Sequence, residues 1–123
     1  MEFDELPKRA IGCALEVHRT LGPGLLESAY RHCRARELSL AQLPFRMELP
    51  LPIEYKGVLL DCGYRMDVVV NDVLLLELKS VEALLPIHEA QILSYMRLAK
   101  IPTGLLINFN VLKLKNGIKR FVL

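Results

Sequence analysis

Arg65-Met66-Asp67-Val68-Val69-Val70-Asn71-Asp72-Val73-Leu74-Leu75-Leu76-Glu77-Leu78-Lys79 is the stretch that decides how this chain is read. Two runs rich in Val and Leu flank a polar Asn-Asp step, the pattern of two adjacent strands joined by a short turn. Apolar runs with so little alternation suit strands covered on both faces, at the centre of a sheet. Three charged groups, Asp67, Glu77 and Lys79, nevertheless sit inside this stretch or at its end. A carboxylate buried without a partner is costly, so such groups are paired, protonated or hold a metal.

Glu77 and Lys79 are two apart and leave the same face of a strand. The position of Asp67 depends on the turn. A plain two-residue turn at Asn71-Asp72 pairs Asp67 with Leu76 and points it away from Glu77. A three-residue loop or a bulge sets Asp67 against Glu77. In that second case two carboxylates make a site for a hard divalent cation, and the backbone carbonyl of Leu78 adds an oxygen. Mg²⁺ keeps several waters in such a site, one of which is a potential nucleophile. Lys79 stands where it would orient that water or stabilise charge on a phosphate. The same three residues are also compatible with ordinary charges paired near a strand end.

Outward from this pair, positions 7–20 carry apolar residues at helical spacing (Ile11, Ala14, Leu15 and His18). Leu21-Gly22-Pro23-Gly24 ends that helix, and a second is expected over 25–38, burying Leu26, Ala29, Tyr30 and Cys33. From Phe45 the period becomes two, with Phe45, Met47, Leu49, Leu51 and Ile53 on one side. Pro50 and Pro52 lie on the polar side and cannot donate to a ladder, which places this strand at an edge. Tyr55-Lys56-Gly57 is a turn into a strand over 58–64. Pro86 opens a third helix running to Lys100, and 103–109 reads as a buried strand. Asn116-Gly117 predicts a hairpin between 111–115 and 118–122.

A chain of 123 residues, 52% hydrophobic, is read as one domain with a sizeable core, not a disordered segment. No apolar run approaches the ~20 residues that span a bilayer, and Met-Glu-Phe-Asp-Glu is unlike a signal peptide. A soluble, cytoplasmic protein without a membrane partner is the expectation. Cys13, Cys33 and Cys62 lack CxxC spacing and are read as reduced, mostly buried thiols. A net charge of +2 does not announce nucleic-acid binding. Local clusters such as Arg31, Arg34 and Arg36 fit phosphate contact or a solvated face.

Two features extend the charged strand. In the third helix His88, Gln91 and Tyr95 fall at i, i+3 and i+7, a polar stripe in which Gln91 and Tyr95 have QxxxY spacing. This stripe would lie beside the site and touch Lys79 or a nucleotide, or it would hydrogen-bond at a packing seam. Glu27 sits in the first turn of the second helix, where the dipole favours a carboxylate, with Arg31 four residues on. It is either a surface charge or a third carboxylate aimed at the same metal.

Together these residues resemble a known family. Gly24-x-x-Glu27-x-x-Tyr30 is similar to the signature that names the GxxExxY proteins. Further similar stretches are Glu16-Val17-His18, Glu77-Leu78-Lys79, His88-Glu89-Ala90-Gln91 and Leu106-Ile107-Asn108-Phe109-Asn110. The resemblance runs over 11–122, and that family is placed in the PD-(D/E)XK nuclease-like superfamily. It implies an α/β (α+β) fold, a restriction-endonuclease-like core whose mixed central sheet is flanked by helices. It implies Asp67, Glu77 and Lys79 as the acidic pair and lysine, Glu27 as a further acidic residue, and Gln91 and Tyr95 as the QxxxY element. Met66 stands where the superfamily's name has proline.

The expected function is Mg²⁺- or Mn²⁺-dependent hydrolysis of nucleic-acid phosphodiesters, DNA ahead of RNA. Such a small domain would be structure-selective, or work as a homodimer or within a larger complex. The alternative is a nucleic-acid- or protein-binding module that keeps the fold without turnover.

Overall fold

The computed structural model describes residues 5–123. Two helices, α1 (Glu5–Leu21) and α2 (Glu27–Leu40), precede the strands β1 (Phe45–Pro50), β2 (Ile53–Tyr55), β3 (Val58–Leu60), β4 (Arg65–Val70) and β5 (Leu74–Lys79). Helix α3 (Pro86–Ala99), β6 (Thr103–Asn108), a 3₁₀ turn (Leu114–Gly117) and β7 (Ile118–Val122) complete the order. Five strands form one mixed sheet in the order β1-β4-β5-β6-β7, with β5 and β6 parallel and the other neighbours antiparallel. The mixed sheet flanked by helices agrees with the fold expected from the sequence.

Side chains on the two sheet faces separate into two cores. Val68, Val70, Leu74, Leu76, Leu78, Leu105 and Ile107 pack with Ala10, Ala14, Val17, Tyr30 and Leu38 of the helical hairpin. Val69, Leu75 and Leu106 pack with Ile92, Tyr95 and Met96 of α3. Every residue of β6, and all of β5 up to Lys79, is buried or nearly so, which explains their lack of polar alternation. Gly104 lets α3 settle close to the sheet, since a Cβ there would come 2.6 Å from Met96 Sδ. Among the described residues no helix is long and apolar enough to cross a membrane.

The expected edge strand is β1, with its polar set exposed, but it stops at Pro50. Residues read as its continuation, together with part of the expected 58–64 strand, instead form the separate β2–β3 sheet. Pro50 and Pro52 have no N–H to prolong the ladder. Lys56 (φ 48°) and Gly57 (φ 84°) make the tight turn, and Gly63 (φ 81°), whose N–H bonds Asp61 Oδ1, ends the extended run.

The C-terminal hairpin is not formed. Asn116-Gly117 lies in the 3₁₀ turn, and β7 pairs with β6 from Ile107↔Ile118 to Thr103↔Val122. Leu114 drops into the core, and the open edge of β6 captures β7, two long-range gains that outweigh the local turn preference. Three smaller expectations also fail. Leu15 and Leu26 are exposed, Cys62 is exposed, and Arg34 is wholly buried with Nη2 on the Ala10 carbonyl. Arg31, Arg34 and Arg36 therefore do not make one phosphate-facing patch.

Candidate metal and phosphate site

The register of β4 and β5 sets the site. Val70 pairs with Leu74, Val69 with Leu75 and Val68 with Leu76, leaving Asn71-Asp72-Val73 as a three-residue loop. Asn71 (φ 51°) and Asp72 (φ 58°) both take the left-handed conformation, which Asn and Asp tolerate better than most residues. Continued by one step, this register puts Asp67 opposite Glu77. The backbone ladder ends there and side chains replace it. The Asp67 N–H donates to Glu77 Oε1 at 3.3 Å, and the Leu78 N–H donates to Asp67 Oδ2 at 2.9 Å.

Glu77 is 4% exposed. Burial, and behind it the neighbouring Asp67 carboxylate, pushes its carboxyl up to about 9. Lys79 opposes this rise as a weaker influence. Two close carboxylates in a poorly hydrated place, with Arg31 3.6 Å from Asp67 and Lys79 on the Glu77 face, form a donor set that a divalent cation would satisfy. Among the described residues no group of three His, Cys, Asp or Glu is gathered at one point. The fit is thus to an ion held by two carboxylates and otherwise by water or substrate, the habit of Mg²⁺.

Lys79 leaves the same face of β5 as Glu77. Its Nζ donates to Gln91 Oε1 at 3.2 Å, and Gln91 Nε2 donates to the Tyr95 hydroxyl at 3.1 Å. The β5–α3–β6 crossover thus brings the QxxxY pair to the lysine. Burial raises the Tyr95 phenol further above its ordinary range, so it stays protonated. His88 is spent on the helix start, where Nδ1 accepts the Leu85 N–H at 2.9 Å.

Glu27 stands apart from the carboxylate pair. Its Oε1 accepts the Ser80 N–H at 3.3 Å, one residue beyond Lys79. Tyr30 explains how the loop before α2 is held. Its ring stacks on Phe109 at 4.5 Å, and its hydroxyl donates to the Gly22 carbonyl at 2.7 Å and accepts the Leu25 N–H at 3.1 Å. Gly24 has φ 96°, a conformation suited to glycine. Gly24 and Tyr30 thus shape the approach, and Glu27 grips the end of β5.

Two contributors escaped the sequence reading. Arg31, which the sequence places in a basic cluster and four residues after Glu27, reaches Glu48 Oε1 at 3.0 Å and Asp67 Oδ1 at 3.6 Å with its side chain 14% exposed. Asn108 straps the chain after Lys79, accepting the Val81 N–H at 3.1 Å and donating to the Val81 carbonyl at 2.9 Å. Neither partner is near in sequence, so spacing carried no signal for either.

The sequence model of the PD-(D/E)XK nuclease superfamily matches residues 4–121. No curated protein and no solved structure matches the chain.

Proposed function

The chain belongs to the PD-(D/E)XK nuclease superfamily, and from that premise we propose that it is a metal-dependent nuclease hydrolysing nucleic-acid phosphodiesters, DNA ahead of RNA. The observation that carries this reading is the placement of Asp67 against Glu77 with Lys79 two residues on, tied to Gln91. We also assign it to the GxxExxY proteins on the strength of Gly24, Glu27 and Tyr30.

In this reading Asp67 and Glu77 would hold Mg²⁺ or Mn²⁺, with the Leu78 carbonyl as a backbone oxygen. Such an ion, when bound, would supply Lewis acidity and lower the pKa of a bound water. Lys79 faces the charge that develops on the phosphate. Gln91 and Tyr95 fix the lysine in place, and Glu27 holds the Ser80 turn that follows it.

The test is cleavage of single-stranded, duplex and branched substrates with Mg²⁺ or Mn²⁺ by wild type, Glu77→Ala and Lys79→Ala. Cleavage lost in both variants supports the site; cleavage indifferent to both rejects it. No turnover by wild type, together with no metal binding in calorimetry, would favour a non-catalytic binding module.

A further inference from the structure

Beside the Lys79-Gln91-Tyr95 chain lies an open pocket of about 500 Å³. Ile53, Ile87 and Leu98 form its apolar walls, and Tyr64 stands edge-on to Tyr95 with ring centroids 5.9 Å apart. Gln91, Ser94 and His88 supply the polar groups, and among the described residues no acidic side chain lines it. Arg97 donates from Nη2 to Oγ of the lining Ser94 at 3.2 Å. Tyr64 is anchored through its backbone, whose carbonyl accepts the Leu51 N–H at 3.0 Å, while its side chain remains 43% exposed.

We propose that this pocket receives an unpaired nucleobase of the substrate strand, adjacent to the phosphate at Lys79. The inference rests on the nuclease reading and names its substrate class: single strands, or duplexes with frayed or flapped ends. Apolar walls with two aromatic rings and a few hydrogen-bonding groups match the needs of a heteroaromatic ring. Gln91 and Tyr95 belong both to the pocket and to the chain that holds Lys79, so an occupant here is continuous with a strand whose phosphate lies at the lysine. Nothing acidic among the described lining residues repels an anionic strand, and the aromatic rings with Gln91 and Ser94 suit a heteroaromatic base better than a peptide carboxylate. A base inside a duplex is stacked and paired and cannot enter without being extruded, at a cost in unstacking and unpairing.

The test measures binding without turnover, with Ca²⁺ replacing Mg²⁺, of a single-stranded DNA carrying 2-aminopurine and of its blunt duplex. Wild type is expected to quench the 2-aminopurine and to bind the single strand about tenfold or more tightly than the duplex. Tyr64→Ala is expected to lose about tenfold or more of the single-strand affinity, the loss of one stacking partner, with an unchanged circular dichroism spectrum. Single-strand affinity unchanged in Tyr64→Ala, or equal affinity for single strand and blunt duplex, would overturn the proposal. So would a wild-type dimer that Tyr64→Ala dissociates, since a second copy would then cover the pocket. Cleavage in Mn²⁺ is read separately, with Lys79→Ala as control. Lys79-dependent cleavage without a Tyr64 effect on binding defeats the pocket alone. A Tyr64 effect on binding without Lys79-dependent cleavage defeats the nuclease reading alone.

Discussion

The backbone N–H of Asp67 donates to the side chain of Glu77, at the point where the β4–β5 ladder would otherwise continue. One residue on, the Leu78 N–H turns to the Asp67 carboxylate. The strands are held together here by the groups that would have to hold a metal, so stability and function meet in the same bonds.

Glu77→Gln should therefore stabilise the protein above neutral pH. The Glu77 carboxyl is raised from 4.5 to about 9 by burial and by Asp67. A group raised on folding contributes stability that is fully present below its unfolded value and lost as pH climbs towards the folded one. Wild type should lose stability steadily between pH 5 and pH 9, on the order of 2 kcal/mol by pH 7, and Glu77→Gln should flatten that slope. Urea unfolding at pH 5, 7 and 9 reads this directly; parallel slopes in the two proteins would refute it.

Metal binding should release a proton for the same reason. Below about pH 9 the Glu77 carboxyl must give up its proton before it serves as a ligand. Mn²⁺ affinity should then rise with pH by up to about tenfold per unit between pH 6 and pH 8. Calorimetry in buffers of different ionisation enthalpy should show about one proton released per ion at pH 7. Binding that is flat with pH and releases no proton would count against Glu77 as a ligand.

How much of this was legible in the sequence depends on the range of the interaction. The charged strand pair, its central place in the sheet and the crossover to Gln91 and Tyr95 follow from local patterns. Whether Asp67 faces Glu77 did not, because Asn71-Asp72 suits a two-residue turn as well as the three-residue loop observed. The observed loop puts Val68, Val70, Leu74 and Leu76 in one core and Val69 and Leu75 in the other, and because both faces are apolar the hydrophobic pattern does not by itself choose between the two registers. Arg31 beside Asp67 and Asn108 across from Val81 join distant segments, and no spacing rule reaches them. Asn116-Gly117 failed for the opposite reason, a strong local signal overruled by the free edge of β6.

Gly117→Ala should be severely destabilising. An added Cβ would lie 2.3 Å from the Asn108 carbonyl oxygen, a backbone atom that cannot swing aside. Overpacking of this kind costs about 1–3 kcal/mol, and more when backbone must move. Thermal melting checks the loss. A melting temperature within a degree or so of wild type would show that the turn relaxes freely.

Tyr30→Phe should cost about 1–2 kcal/mol, since the hydroxyl serves both the Gly22 carbonyl and the Leu25 N–H. The stacking on Phe109 remains in this variant, so the loss isolates the loop clamp. Activity should fall further than stability alone predicts, because the clamped loop leads into Glu27 and its hold on Ser80. Chemical denaturation and cleavage at a temperature where both proteins are folded separate the two effects. Equal activity per folded molecule would reduce the loop to a purely stabilising part.

The lysine relay predicts an order among three substitutions. Lys79→Ala removes the charge itself and should lower kcat by about a hundredfold or more, the scale for losing one stabilising donor. Gln91→Ala leaves the lysine but frees its Nζ from the acceptor at 3.2 Å, and should cost about tenfold by loosening its position. Tyr95→Phe keeps the ring against Tyr64 and removes only the acceptor of the Gln91 amide, so it should cost least. A double variant, Lys79→Ala with Gln91→Ala, should be no worse than Lys79→Ala alone, because the glutamine acts through the lysine. Single-turnover rates at saturating substrate decide it, so that a contact of Gln91 with a base in the pocket, which acts on affinity, does not enter; additive losses in the double variant would mean that Gln91 acts on the chemical step without the lysine.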